Sequence, residues 1–201
     1  MRLVVLASGN GSNLQTILDN INAGMLKAEI VAVISDKENA FALERAEKAG
    51  IPTVYVNSKL YPNREEFNAA IADIIQTYNP DYIVLAGYMR ILTPAFVQRF
   101  PMRILNIHPS LLPAFQGLHA QAQAWEYGVK VSGCTVHFVD SGLDSGPIIA
   151  QRTVEVLDTD TEADLSERIL KQEHQLYSQV LSWLAEGKIK IEGRKVLVKK
   201  G

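Results

Sequence analysis

Short unbroken apolar runs alternate with segments of helical spacing along the first half of the chain. Leu3–Ala7 is apolar throughout, as a strand covered on both faces should be. After a glycine-rich turn, Leu14, Ile17, Leu18 and Ile21 recur at helical spacing and stop at Gly24. Ile30–Ser35 reads as a second strand and Ala40–Lys48 as a helix ended by Gly50-Ile51-Pro52, with Thr53–Val56 a third strand. Asn63 and Glu66 form a capping box for a helix carrying Phe67, Ile71, Ile74, Ile75 and Tyr78. Tyr82–Ala86 is a fourth strand, Thr93 caps a short helix with Pro94 at its first position, and Arg103–Ile107 is a fifth strand ending at His108-Pro109.

This alternation predicts a doubly wound, mostly parallel twisted α/β sheet. The second half changes character. A helix near His119–Tyr127 precedes an extra β segment, Gly133–Val139 and Ile148–Val156, and a long helix runs from about Thr161 to Ala185. Lys188–Val198 reads as a hairpin about Glu192-Gly193. No linker-like stretch separates the halves, so one domain over residues 1–201 is expected.

Composition narrows the function classes. The chain has 201 residues and a net charge of −2, with Lys+Arg 20 against Asp+Glu 22, which excludes a globally basic nucleic-acid binder but not a local anion site. The single cysteine, Cys134, excludes an internal disulfide and a cysteine metal cluster, and makes a reducing cytoplasm the default location. No apolar run approaches the roughly 20 residues of a membrane-spanning helix.

Ligands of open α/β sheets sit beyond the carboxyl ends of the strands. The loop Ser8-Gly9-Asn10-Gly11-Ser12-Asn13 lies there, joining a strand directly to a helix whose free N–H groups and dipole favour an anion. It is not a Walker A loop, and Leu14 stands where a dinucleotide fingerprint needs its third glycine. Asn106 and His108 alternate on the fifth strand and therefore point the same way. An amide donor beside an imidazole suits a developing oxyanion. Asp144, in Leu143-Asp144-Ser145-Gly146-Pro147, matters if the fold brings it to His108, where a carboxylate favours the imidazolium. His137 reads as a structural strand residue, His119 as a helix start and His174 as an exposed or partly packed helix residue. No His/Asp/Glu set has metal-ligand spacing, and no Gly-x-Ser-x-Gly elbow supports a serine hydrolase.

Taken in order, these segments together with Leu85-Ala86-Gly87-Tyr88-Met89-Arg90-Ile91-Leu92 and Asn106-Ile107-His108-Pro109-Ser110-Leu111-Leu112-Pro113 resemble the 10-formyltetrahydrofolate-dependent formyltransferases, most closely the members that act on glycinamide ribonucleotide in purine synthesis. The resemblance spans essentially the whole chain. It implies a Rossmann-like formyltransferase fold in which residues 1–108 form the nucleotide-binding half and 109–201 the folate-binding and catalytic half. It implies that Gly11, Ser12 and Asn13 hold the substrate phosphate and that Glu173 faces its ribose or glycinamide part. On the residues alone, Glu173 is a solvated helix carboxylate.

The resemblance further implies that Met89, Arg90, Ile91, Leu92 and Asn106 line the folate pocket, that Val139–Asp144 wraps the pterin, and that Arg64 meets the glutamate tail. Asn106, protonated His108 and Asp144 are the implied catalytic set. The co-substrate is 10-formyltetrahydrofolate, with no metal, and the chain is expected to be a monomer or homodimer that binds neither nucleic acid nor membrane. Phe115-Gln116-Gly117 departs from the family's usual aromatic-Pro-Gly or aromatic-Lys-Gly turn. Methionyl-tRNA formyltransferases, formyltetrahydrofolate hydrolases and a non-catalytic nucleotide-binding module are the rivals. The first normally carry a C-terminal nucleic-acid-binding domain and the second an N-terminal regulatory domain, and neither is expected here.

Overall fold

Five strands of the first half assemble in parallel, and the register shows why. In a computed structural model describing residues 1–199, β1 (Arg2–Leu6) pairs with β2 (Glu29–Ser35) on one side and β4 (Tyr82–Leu85) on the other. Leu3, Val4, Val5 and Leu6 have no solvent exposure, which marks β1 as the centre of the core. Each such side chain stabilises the fold by about 1.5–3 kcal/mol. β3 (Thr53–Tyr55) flanks β2, and β5 (Ile104–His108) flanks β4.

The crossover helices are α1 (Ser12–Asn22), α2 (Phe41–Lys48), α3 (Arg64–Tyr78) and α4 (Pro94–Arg99). α3 and α4 start at the expected capping residues. The Asn63 side chain accepts from the Glu66 N–H at 2.9 Å, and Thr93 accepts from the Phe96 N–H at 3.3 Å. Each such cap satisfies one orphan donor of the first turn.

The remaining elements are α5 (Ala120–Tyr127), β6 (Val131–Phe138), β7 (Ile148–Glu155), α6 (Glu162–Ala185), β8 (Ile189–Glu192) and β9 (Lys195–Val198). The strand order is β3-β2-β1-β4-β5-β6-β7, with β6 and β7 antiparallel, and β8-β9 forms a separate hairpin. This is the expected α/β architecture, with its extra β segment and long C-terminal helix. The chain divides into two compact units, residues 1–106 and 107–201.

Most boundaries shift by a residue from the sequence reading, and two of the differences have a clear physical reason. β6 begins at Val131 rather than Gly133, so Gly133 lies inside the strand. A β-carbon there would come within 1.9 Å of the Arg152 carbonyl oxygen, and only glycine permits that pairing. The tail hairpin closes on the pair Glu192↔Lys195, placing the turn at Gly193-Arg194, one residue later than expected. Gly193 takes the positive φ of 59° that such a turn demands.

β6 is buried from Ser132 to Phe138 although it carries polar side chains. The Thr135 hydroxyl donates to the Ser110 carbonyl at 2.7 Å and accepts from the Leu112 N–H at 3.0 Å and from Gln151 Nε2 at 3.0 Å. These bonds tie the segment after β5 to the strand pair, and satisfied polar groups of this kind are inexpensive to bury.

Candidate active site

In the first unit, the loop after β1 is built to leave a helix start open. Gly11 is the N-cap of α1 and adopts φ 73°, with no side chain capping the helix and no acidic residue in its first turn. A β-carbon on Gly11 would lie 2.8 Å from Ala42 Cβ and 2.9 Å from Ala42 Cα, so the close approach of α2 also requires glycine. Arg45 holds the loop from outside. Its Nε donates to the Asn10 carbonyl at 2.9 Å, Nη2 to Asn10 Oδ1 at 3.1 Å and Nη1 to Gln15 Oε1 at 3.0 Å.

Ser12 and Asn13 begin α1, and Asn13 is buried. The start of the loop, residues 8–10, forms one wall of an open cleft of about 580 Å³ whose other wall is residues 37–41, with Lys37 and Glu38 among them. The turn leaves the first N–H groups of α1 without a side-chain cap, at the positive end of the helix dipole.

Asp36 closes β2 at the position where dinucleotide-binding folds keep a ribose-binding carboxylate. Here it serves another purpose. Its side chain has no solvent exposure, accepting from Ser8 Oγ at 2.6 Å and pairing with Arg90 Nε at 2.8 Å. Without solvent exposure it is closed to a ribose, which agrees with the missing third glycine.

The segment after β4 contains the other residues expected of the first unit. Met89 and Ile91 are exposed at 63% and 62%, and Leu92 is half-buried before Thr93. Arg64, the first residue of α3, is exposed and lies 4.0 Å from Glu65. The Tyr88 hydroxyl is buried without a hydrogen-bond partner among the described residues. Its pKa is raised, by burial first and by the nearby Asp36 charge second.

The second unit brings His108 and Asp144 together from positions 36 residues apart in sequence. His108, at the end of β5, is 5% exposed, and its Nδ1 lies 3.5 Å from Asp144 Oδ2. Its Nε2 faces the Phe115 carbonyl at 2.8 Å. A carbonyl only accepts, so Nε2 carries a hydrogen.

Asp144 is aimed by its surroundings. The Gly117 N–H donates to Oδ2 at 2.8 Å, and Gln116 Nε2 donates to the Leu143 and Asp144 carbonyls at 3.1 and 3.3 Å. Asp144, Phe115 and His119 all adopt positive φ, at 47°, 54° and 58°. Such conformations in non-glycine residues cost on the order of 1–3 kcal/mol each and gather at functional sites.

Asn106 precedes His108 by two positions on β5, so strand alternation gives both side chains the same sheet face. His137 Nε2 lies 4.0 Å from Asp144 Oδ1, beyond direct hydrogen-bond range. His137 Nδ1 donates to the Phe138 carbonyl at 2.9 Å, and burial pushes the ring's pKa down. His119, the N-cap of α5, is exposed and makes no side-chain cap. His174 on α6 is half-buried, and its pKa is likewise lowered by burial.

Glu173 corrects the reading of its residue type alone. It is 7% exposed rather than solvated, and its charge, after burial, helps raise the Cys134 pKa to about 12. The signal was present in the spacing. Position 173 falls four residues after Ile169 and three before Leu176, on the apolar stripe of α6. Asp36 was missed altogether, because its partners lie 28 and 54 residues away. Among the described residues, no His/Cys/Asp/Glu group could hold a metal ion, and no helix is long and apolar enough to cross a membrane.

The strand-end pair of His108 and Asp144 lies on a mostly parallel α/β sheet of a known class. The chain belongs to the formyl transferase family, whose profile matches residues 1–181. It is 48% identical over 191 residues to the phosphoribosylglycinamide formyltransferase of Escherichia coli (strain K12), a match spanning 95% of this chain and 90% of the relative. Its fold superimposes on glycinamide ribonucleotide transformylase 1 from Symbiobacterium toebii with a TM-score of 0.97 at 50% identity, covering 100% of this chain and 94% of that one. A formyltetrahydrofolate deformylase from Pseudomonas syringae shares the fold at a TM-score of 0.91 but only 29% identity, over 99% of this chain and 66% of that one.

Proposed function

We propose that this formyltransferase moves the formyl group of 10-formyltetrahydrofolate to the amine of glycinamide ribonucleotide, a step of purine biosynthesis. The observation that carries the chemistry is the buried His108–Asp144 pair, with Asn106 two residues before His108 on the same strand face. Gly11, Ser12 and Asn13 receive the phosphate through the open start of α1, and Glu173 addresses the ribose or glycinamide portion. Met89, Arg90, Ile91, Leu92 and Asn106 line the folate site, with Val139–Asp144 around the pterin and Arg64 toward the glutamate tail.

The neutral glycinamide amine attacks the formyl carbon, and the carbonyl electrons move onto oxygen. The Asn106 amide donates to that oxyanion, and protonated His108 stabilises it. In the resting arrangement His108 Nε2–H is held by the Phe115 carbonyl, and the formyl oxygen takes over as its acceptor. Asp144 keeps the imidazolium oriented and organises a water that carries the amine's proton to N10. The C–N10 bond then breaks, leaving formylglycinamide ribonucleotide and tetrahydrofolate. The residues need no metal and no covalent enzyme intermediate. On this reading the enzyme works in the cytoplasm as a monomer or homodimer and binds no nucleic acid.

The test follows the absorbance change as 10-formyltetrahydrofolate becomes tetrahydrofolate, with and without glycinamide ribonucleotide. Turnover that requires the ribonucleotide supports the transferase. Turnover without it assigns the chain to the deformylase branch, and no turnover in either case leaves a binding module.

A further inference from the structure

We propose that Ser8 and Asp36 are positioning residues that set the loop after β4, residues 87–92, in the shape that receives folate. The inference rests on the folate role proposed above for Met89–Leu92. Three separate bonds fix the start of this loop. The Ser8 N–H donates to the Gly87 carbonyl at 3.1 Å, and the Met89 N–H donates to Ser8 Oγ at 2.9 Å. Ser8 Oγ in turn donates to Asp36 Oδ1 at 2.6 Å, while Asp36 Oδ2 takes Arg90 Nε at 2.8 Å.

The far side of Arg90 is also engaged. Its Nη2 donates to Ser58 Oγ at 2.8 Å, and its guanidinium lies 5.8 Å from the Phe67 ring centroid. The loop's end is anchored independently, where the Thr93 N–H donates to the buried Asn68 Oδ1 at 3.1 Å. Between these anchors Met89 and Ile91 stand exposed.

An unconstrained loop would be expected to turn such apolar side chains inward. A completely buried carboxylate bound to a neighbouring serine and arginine is an expensive feature to retain unless its geometry is needed. Here it links the ends of β1 and β2 to one loop, and it leaves the backbone of 87–92 pre-shaped for a ligand. Pre-shaping lowers the ordering cost of binding. The effect is therefore expected in the affinity for folate rather than in the chemical step.

The experiment uses the full-length enzyme with Ser8→Ala, Asp36→Ala and Asp36→Asn. Steady-state kinetics are measured separately for the two substrates, alongside amide hydrogen exchange at Met89. Ser8→Ala and Asp36→Ala are expected to raise KM for 10-formyltetrahydrofolate about tenfold, the equivalent of one lost charge-assisted hydrogen bond. In Asp36→Ala the kcat and the KM for glycinamide ribonucleotide should move by no more than about threefold, roughly half that factor on a logarithmic scale. Asp36→Asn keeps a polar partner for either Ser8 or Arg90 and should recover most of the loss. Met89 amide exchange should accelerate at least about tenfold more in Ser8→Ala than exchange at core amides such as that of Val5.

Unchanged Met89 exchange overturns the pinning. Faster exchange with an unchanged folate KM overturns the link between loop shape and folate. A rise in both substrates' KM together in Asp36→Ala points to a general disturbance of the β1 loop and also overturns it. A wild-type enzyme that does not turn over 10-formyltetrahydrofolate defeats the proposed function and with it the folate link, whereas the exchange data still decide the pinning.

Discussion

Gly11 and Gly24 offer a matched pair of perturbations, because both adopt φ 73° and flank the same helix. Replacing either with alanine forces an L side chain into the left-handed region, at about 1–2 kcal/mol, and stiffens the unfolded chain equally. Those contributions cancel in the comparison. What differs is space. A β-carbon at Gly24 meets nothing within 4 Å, whereas at Gly11 it lands 2.8 Å from Ala42 Cβ and 2.9 Å from Ala42 Cα. Neither contact is the mobile end of a long side chain, so α2 must shift.

Overpacking of this kind costs about 1–3 kcal/mol. At roughly 2–4 °C per kcal/mol for a chain of this size, Gly11→Ala should melt about 2–12 °C below Gly24→Ala. The assay is calorimetric unfolding of both variants, followed by KM for glycinamide ribonucleotide. Gly11→Ala should raise that KM, since the displaced turn is the proposed phosphate cradle, and Gly24→Ala should leave it alone. Equal melting temperatures, or an unchanged KM in Gly11→Ala, would refute the argument that close packing against α2 shapes the cradle.

Further expectations come from buried groups. The depressed pKa of His137 means that the unfolded chain binds a proton more readily than the native one below its ordinary value of about 6.5, so stability falls as pH drops from there. His174 adds in the same direction. Urea melts of His137→Asn at pH 7.5 and 5.5 should show a smaller loss than the wild type, and an equal loss would contradict the assignment. Cys134 is completely buried, with its thiol pushed up to about 12, so native enzyme at pH 8 should resist thiol reagents for hours. Rapid stoichiometric labelling without unfolding would contradict this.

The elements were legible in the sequence wherever local periodicity and caps decide structure. The parallel strands, the Asn63 and Thr93 caps and the stop at Gly24 all follow from neighbours within a few residues. Asn106 and His108 could be paired because strand alternation is local. The bond network of Asp36 was invisible, since it depends on residues brought together by the crossovers around β1. The positive φ of Phe115, His119 and Asp144 was hidden for a related reason. Local propensity disfavours it in phenylalanine and only mildly allows it in histidine and aspartate, so tertiary context decides where it occurs. Glu173 lay in plain view on an apolar stripe, and a polar residue at such a position is a signal of function or of a buried partner.

The proposed mechanism turns on an oxyanion stabilised by Asn106 and His108, with Asp144 holding the imidazole. Its most direct test is single-turnover formyl transfer by purified, folded Asn106→Ala and Asp144→Ala, with both substrates saturating. The chemical step should be slowed on the order of 100–1,000-fold in each variant. A chemical step near the wild-type rate in either one would contradict it.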